Sequence, residues 1–206
     1  MYDCVTIVGC GNLGSYLANT ITLKSLESDL TKKLNIIDND IIERKNFPYI
    51  FQSLNNTKTI QKYIGNPKVN LLRFLLKKLN PKLRIEIHYS DFKNILRKKY
   101  KKENELYIDC RDTSEENSLF DLKLHSEGIF GRIVINPTDL KSFDSSNYIM
   151  GISKFHSSYF SYITTQNYLT RLDSYPKDKR INILINLTNG KTYELPGKQT
   201  KNITFK

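Results

Sequence analysis

One short run sets the terms for the whole chain. Gly9-Cys10-Gly11-Asn12-Leu13-Gly14 follows the apolar stretch Cys4 to Val8 and precedes Leu13, Leu17 and Ile21 at helical spacing. A GxGxxG placed between a strand and a helix is a turn with a purpose. Gly9 permits the sharp reversal, Gly11 lets an anion approach the backbone, and Gly14 lets the helix pack on its strand. The helix start then presents unpaired N–H groups and partial positive charge. Asp38 closes the next apolar run, Lys33 to Asp38, where a carboxylate can accept from a ribose hydroxyl. The pattern predicts a nucleotide site on Gly9, Gly11, Gly14 and Asp38.

The rest of the chain fits this opening. Asn66 and Pro67 are placed as the cap and first residue of a helix, with Val69, Leu72, Leu76 and Leu79 on one face and Pro81 beyond its end. Leu83 to His88, Leu106 to Cys110 and Gly131 to Asn136 read as strands. Ser90 to Lys102 and Ser114 to His125 read as helices. Short apolar runs alternating with amphipathic helices imply βαβ units. The expected fold class is α/β: a Rossmann-like, mostly parallel sheet with helices on both faces, since the strands lack an inside/outside alternation. The expected division is a nucleotide-binding domain over residues 1–137 and a C-terminal extension over 138–206. In the extension, Ile181, Ile183, Ile185 and Leu187 alternate, and Asn189-Gly190 predicts a hairpin turning into Thr192 to Leu195.

Composition excludes several classes. The 206 residues are 39% hydrophobic and 26% charged, which argues against disorder. No apolar run approaches the roughly 20 residues of a membrane helix, and Met1-Tyr2-Asp3-Cys4 has no basic leader. A cytoplasmic protein is expected. Cys4, Cys10 and Cys110 form no CxxC pair, against both a disulfide scaffold and a thiolate zinc site. His88, His125 and His156 have no metal-ligand spacing. Cys10, at a helix start, stands where a thiol pKa tends to fall, although a loop-filling role fits it better. The formal charge of +11 centres on Lys93 to Lys102. Nucleic acid is therefore a conceivable partner, but no nucleic-acid motif accompanies the run.

The residues after Asp38 narrow the choice of nucleotide. Asp38-Asn39-Asp40, Asn46 six residues after Asp40, Gly65-Asn66-Pro67-Lys68 and Asn80-Pro81 occur in that order. This series resembles the ThiF/MoeB/ubiquitin-activating-enzyme superfamily over roughly Val5 to Asp112. The resemblance implies ATP and Mg²⁺ as cofactors and adenylation of a carboxylate, such as the C-terminus of a ubiquitin-like or sulfur-carrier protein. It implies that Gly9, Gly11 and Gly14 line the phosphates, Asp38 holds the ribose and Asn46 lies near the triphosphate. It further gives Lys68 a catalytic, charge-neutralising role and Asp112 a catalytic role as the magnesium ligand. A homodimer or heterodimer is also expected by resemblance.

The chain departs from the pattern in informative places. Tyr49 stands where the family has a phosphate-clamping arginine, and tyrosine carries no fixed charge at pH 7. Arg44, Lys58 and Lys62 are candidate substitutes. Thr113 comes after Asp112 where the family continues with asparagine. No cysteine lies beyond Cys110, so the family's thioester cysteine is absent. Three readings stay open on the sequence: a minimal adenylyltransferase, a non-catalytic homologue serving as a binding subunit, and an NAD-dependent oxidoreductase. The last leaves Asn46 and Gly65-Asn66-Pro67-Lys68 as coincidences.

Overall fold

In the computed structural model the described residues are 1–46, 61–96, 104–112, 120–127, 129–137, 154–176 and 179–195. The elements are β1 (Cys4–Val8), α1 (Asn12–Ser28), β2 (Lys33–Asp38), α2 (Lys68–Leu79), β3 (Arg84–Tyr89), α3 (Phe92–Leu96), β4 (Glu105–Asp109), β5 (Leu122–Glu127), β6 (Phe130–Ile135), α4 (Lys154–Ile163), β7 (Ile181–Asn186) and β8 (Thr192–Leu195). A 3₁₀ turn covers Arg44–Asn46, and α4 runs on through a π turn at Thr164–Tyr168 into a 3₁₀ segment at Leu169–Ser174.

These strands form one sheet in the order β3-β2-β1-β4-β5-β6-β7-β8. The pairs from β3 to β5 are parallel and those from β5 to β8 antiparallel. The parallel half runs β2 to one side of β1 and β4 to the other. The strand order therefore reverses at β1, and the crevice beyond the carboxyl ends of β1 and β4 is where ligands of such sheets bind.

Burial explains the layering. Val5 and Ile7 of β1, Leu34 and Ile36 of β2, and Leu106 and Ile108 of β4 join Leu17 and Ile21 of α1 and Val69, Leu72 and Leu76 of α2 in one core. Val8, Ile37 and Tyr107 point to the opposite face, where Phe92 of α3 and Phe120 cover them. Both faces of β1, β2 and β4 are thus covered.

On the main-core face α4 lies across α1. Its Ser157, Ser161 and the following Thr165 are fully buried, and these small residues admit the close approach that Thr20 Oγ1 makes to Thr165 Oγ1 at 2.9 Å. Phe160 is seated on Gly131 of β6, where an added Cβ would lie 2.4 Å from the ring. The α4 segment is in this way packed on both the first helix and the sheet.

Two sequence expectations are corrected. Residues 122–125, expected to end a helix, form β5 and pair with β6 in register Leu122↔Ile135 to Glu127↔Phe130. The alternation of buried Leu122 and Leu124 around a polar residue was a strand signal. Helix α2 begins one residue later than expected, with Pro67 as its cap. The helix expected over 90–102 is described only as Phe92–Leu96. The basic run beyond Leu96, Ser114 to Leu119, Tyr49 and Lys58 lie outside the described residues.

Candidate functional site: the glycine loop and its carboxylate

The loop after β1 is built as its glycines require. Gly9 has φ +94, a left-handed conformation that side chains rarely adopt. A Cβ on Gly14 would lie 1.8 Å from the Gly9 carbonyl oxygen, so helix and loop meet at a distance only glycine allows. At Gly11 an added Cβ meets nothing within 4 Å. The backbone there borders open space at the start of α1, where the helix N–H groups are unpaired and favour an anion.

Asp38 organises the other side. Its Oδ2 accepts from the Cys10 N–H and its Oδ1 accepts from the Asp40 N–H at 2.7 Å. One buried carboxylate thus ties the end of β2 to the glycine loop. Burial raises the Asp38 pKa; its two backbone hydrogen bonds and the Lys68 ammonium act in the opposite direction. The Cys10 thiol is fully buried, and burial first and the Asp38 charge second push its pKa up. This corrects the expectation of a lowered value, because desolvation outweighs the helix terminus. Cys10 fills the loop.

Lys68 arrives from far along the chain by a backbone clasp. Ile42 N–H donates to Asn66 O and Gly65 N–H donates to Ile42 O, both at 2.9 Å, and Lys68 N–H donates to Asp40 O at 3.0 Å. The side chain, 9% exposed, places Nζ 2.6 Å from Asp40 Oδ2. Its charge acts on both Asp38 and Cys10. The structure therefore brings together Gly9, Gly11, Gly14, Asp38 and Lys68.

Asn46 and Asp112 are placed differently. Asn46 Oδ1 accepts from the Glu43 N–H at 2.8 Å and closes its own 3₁₀ turn. Asp112 is exposed beyond the end of β4, the neighbour of β1 in the sheet. Two features escaped the sequence reading. Asn12, the first residue of α1, donates through Nδ2 to Ser157 Oγ at 2.8 Å, tying the glycine loop to α4. Arg111 also borders the loop, with Cγ 3.1 Å from where a Gly9 Cβ would stand. Its only sequence signal was a basic residue just past a predicted strand.

A sequence model of the ThiF family matches residues 4–128. The chain belongs to the ThiF family. A search of curated protein sequences gives no match. Among solved structures, E. coli MccB is similar at a TM-score of 0.65 and 12% identity, covering 94% of this chain and 61% of that one. E. coli MccB with ATP gives 0.64 and 13%, covering 94% and 62%. PaaA gives 0.61 and 15%, covering 94% and 63%. At these identities the likeness concerns the fold, and this ThiF-family chain spans less than two thirds of each of those proteins. No helix among the described residues is long and apolar enough to cross a membrane.

Proposed function

We propose that this ThiF-family protein binds ATP in the glycine loop and adenylates a carboxylate, such as the C-terminus of a ubiquitin-like or sulfur-carrier protein, as part of a homo- or heterodimer. One observation carries the reading: the largely buried Lys68 is clasped beside Asp38 at the loop whose Gly11 faces open space. A dehydrogenase needs the loop and the ribose acid but has no use for that lysine. The ATP in the MccB structure supports the same choice.

The chemistry asked of these residues is charge management. A carboxylate attacking the α-phosphate brings two anions together, so rate comes from positioning and neutralisation rather than from an acid or base. The α1 N-terminus and Lys68 would hold the phosphates, and Asp38 the ribose. Mg²⁺ takes one or two carboxylates plus substrate phosphates and water, and Asp112, exposed and beside the crevice, suits that demand. When bound, the ion offsets phosphate charge.

The test is ATP–pyrophosphate exchange, with ligand-dependent melting run on the same protein. A melting shift with ATP and Mg²⁺ that disappears in Lys68→Ala, with exchange on adding a carboxylate-tailed peptide, is expected. A shift with NAD alone overturns the reading.

A further inference from the structure

Residues 44 to 85 include ten Lys and Arg and no Asp or Glu, which leaves 22 basic against 21 acidic residues in the rest of the chain. Nearly all the net charge thus belongs to one stretch, and α2 gives part of it a shape. Leu71, Leu72, Leu75 and Leu76 hold the helix to the core, while Arg73, Phe74 and Lys78 stand exposed on its other face. Lys82 is exposed in the turn that follows. Lys78 Nζ lies 4.3 Å from the Phe74 ring centroid, and the Tyr63 ring flanks Phe74 at 6.0 Å between centroids. Phe74 itself keeps 39% exposure.

Solubility alone does not ask for this surface. A face kept merely solvated mixes both signs, and like charges one turn apart weaken a helix. Cations in a last turn favour the helix dipole, which accounts for Lys78 and for Lys77, whose Nζ also donates to Pro81 O at 3.0 Å. It does not account for Arg73 or Lys82. Among the described residues no carboxylate pairs with Arg73, Lys78 or Lys82. An acidic protein would use these cations and gain little from a bare ring set among them. A single-stranded nucleic acid offers phosphates to the cations and base faces that stack on an aromatic ring.

We propose that the outer face of α2 binds a single-stranded nucleic acid, with Arg73, Lys78 and Lys82 on its phosphates and Phe74 stacked on a base. This surface stands apart from the glycine loop: Lys68, at the start of the same helix, is buried and turned to Asp40. The proposal therefore does not depend on the ATP reading.

Fluorescence anisotropy of a labelled single strand of about 20 nucleotides, titrated with the full chain over a salt series, tests it. Wild type should bind at about 50 mM salt and weaken steeply as salt rises. The variant carrying Arg73→Gln, Lys78→Gln and Lys82→Gln should bind more weakly. Its slope of log affinity against log salt should be shallower by about 2, near 0.7 for each cation removed. Phe74→Leu should weaken the strand about fivefold or more and leave that slope unchanged. Glutamine is a good helix former, so the triple variant should fold. If it does not, Arg73→Gln with Lys82→Gln decides: a slope shallower by about 1.4 supports the proposal, and an unchanged slope refutes it. A strand left unbound at low salt, or bound by the triple variant as by wild type, overturns the proposal. So does a duplex or polyglutamate bound as tightly as the strand with Phe74→Leu neutral, since the surface would then act by charge alone.

Discussion

Lys68 Nζ and Asp40 Oδ2 are 2.6 Å apart, an ammonium 9% exposed against a carboxylate 62% exposed. The pair is asymmetric: the lysine is fixed by its clasp, and the acid reaches it from solvent. A phosphate entering the loop would compete with Asp40 for the same ammonium. Asp40→Asn should therefore raise ATP affinity severalfold in an equilibrium titration. Its cost in stability should be within about 1 kcal/mol, as for other ion pairs with a solvent-exposed member. Unchanged or weaker ATP binding would mean that Lys68 does not leave Asp40 for the nucleotide.

The glycines of the loop should separate folding from binding. Gly14→Ala drives a methyl into the Gly9 carbonyl at 1.8 Å, and backbone cannot swing aside as a side chain can. A loss of about 1–3 kcal/mol or more is expected in denaturant unfolding. Gly11→Ala meets nothing within 4 Å, so its melting temperature should stay near wild type. Its methyl would stand in the space assigned to phosphate, and ATP affinity should fall. Equal effects of the two substitutions on stability would contradict this packing.

How far the sequence could be read depended on whether a feature was local. The places of Gly9, Gly14 and Asp38 in the fold were legible because a turn, a close packing contact and a strand end each demand a residue type at a fixed offset. Lys68 was legible only through its resemblance to a family motif; the clasp from Ile42 to Asn66 that delivers it has no local signature. Residues 122–125 were misread although Leu122 and Leu124 alternate around Lys123, because so short an alternation does not outweigh a helical reading until its β6 partner is known. Arg111 and Ser157 escaped notice because their meaning lies in tertiary neighbours, Gly9 for the first and Asn12 for the second.

Asp109 holds two cations in a place nearly closed to water. Asp109→Asn keeps the shape and removes the charge, leaving Arg111 and Lys123 near one another without it. Breaking a buried pair from one side costs about 3–5 kcal/mol, and an unfolding titration should show a loss of that order. Replacing Lys123 by Met together with Asp109→Asn removes one of the two cations beside position 109 and should recover part of it. A near-neutral Asp109→Asn would show that water or movement of Arg111 relieves the site.

The buried thiols give the fold an alkaline limit. Burial raises the pKa of Cys10 and of Cys110 well above 9.0. In the unfolded chain each thiol titrates near its ordinary value, so above that value the unfolded state has lost protons that the native state keeps. Stability then falls with rising pH, because the native state binds more protons. The contribution is complete below about pH 9 and is lost as pH climbs from there through the folded values. Denaturant midpoints measured from about pH 7 to about pH 10.5, a range that spans the ordinary thiol value, should decline at the alkaline end. Cys10→Ala with Cys110→Ala should lessen that decline even where it lowers stability throughout, the remainder coming from Tyr2 and Tyr107, whose pKa values burial also raises. Native-state alkylation near neutral pH should be slow at both positions and become rapid on unfolding. Fast native alkylation of Cys10 would mean that the glycine loop opens far more readily than its hydrogen bond to Asp38 implies.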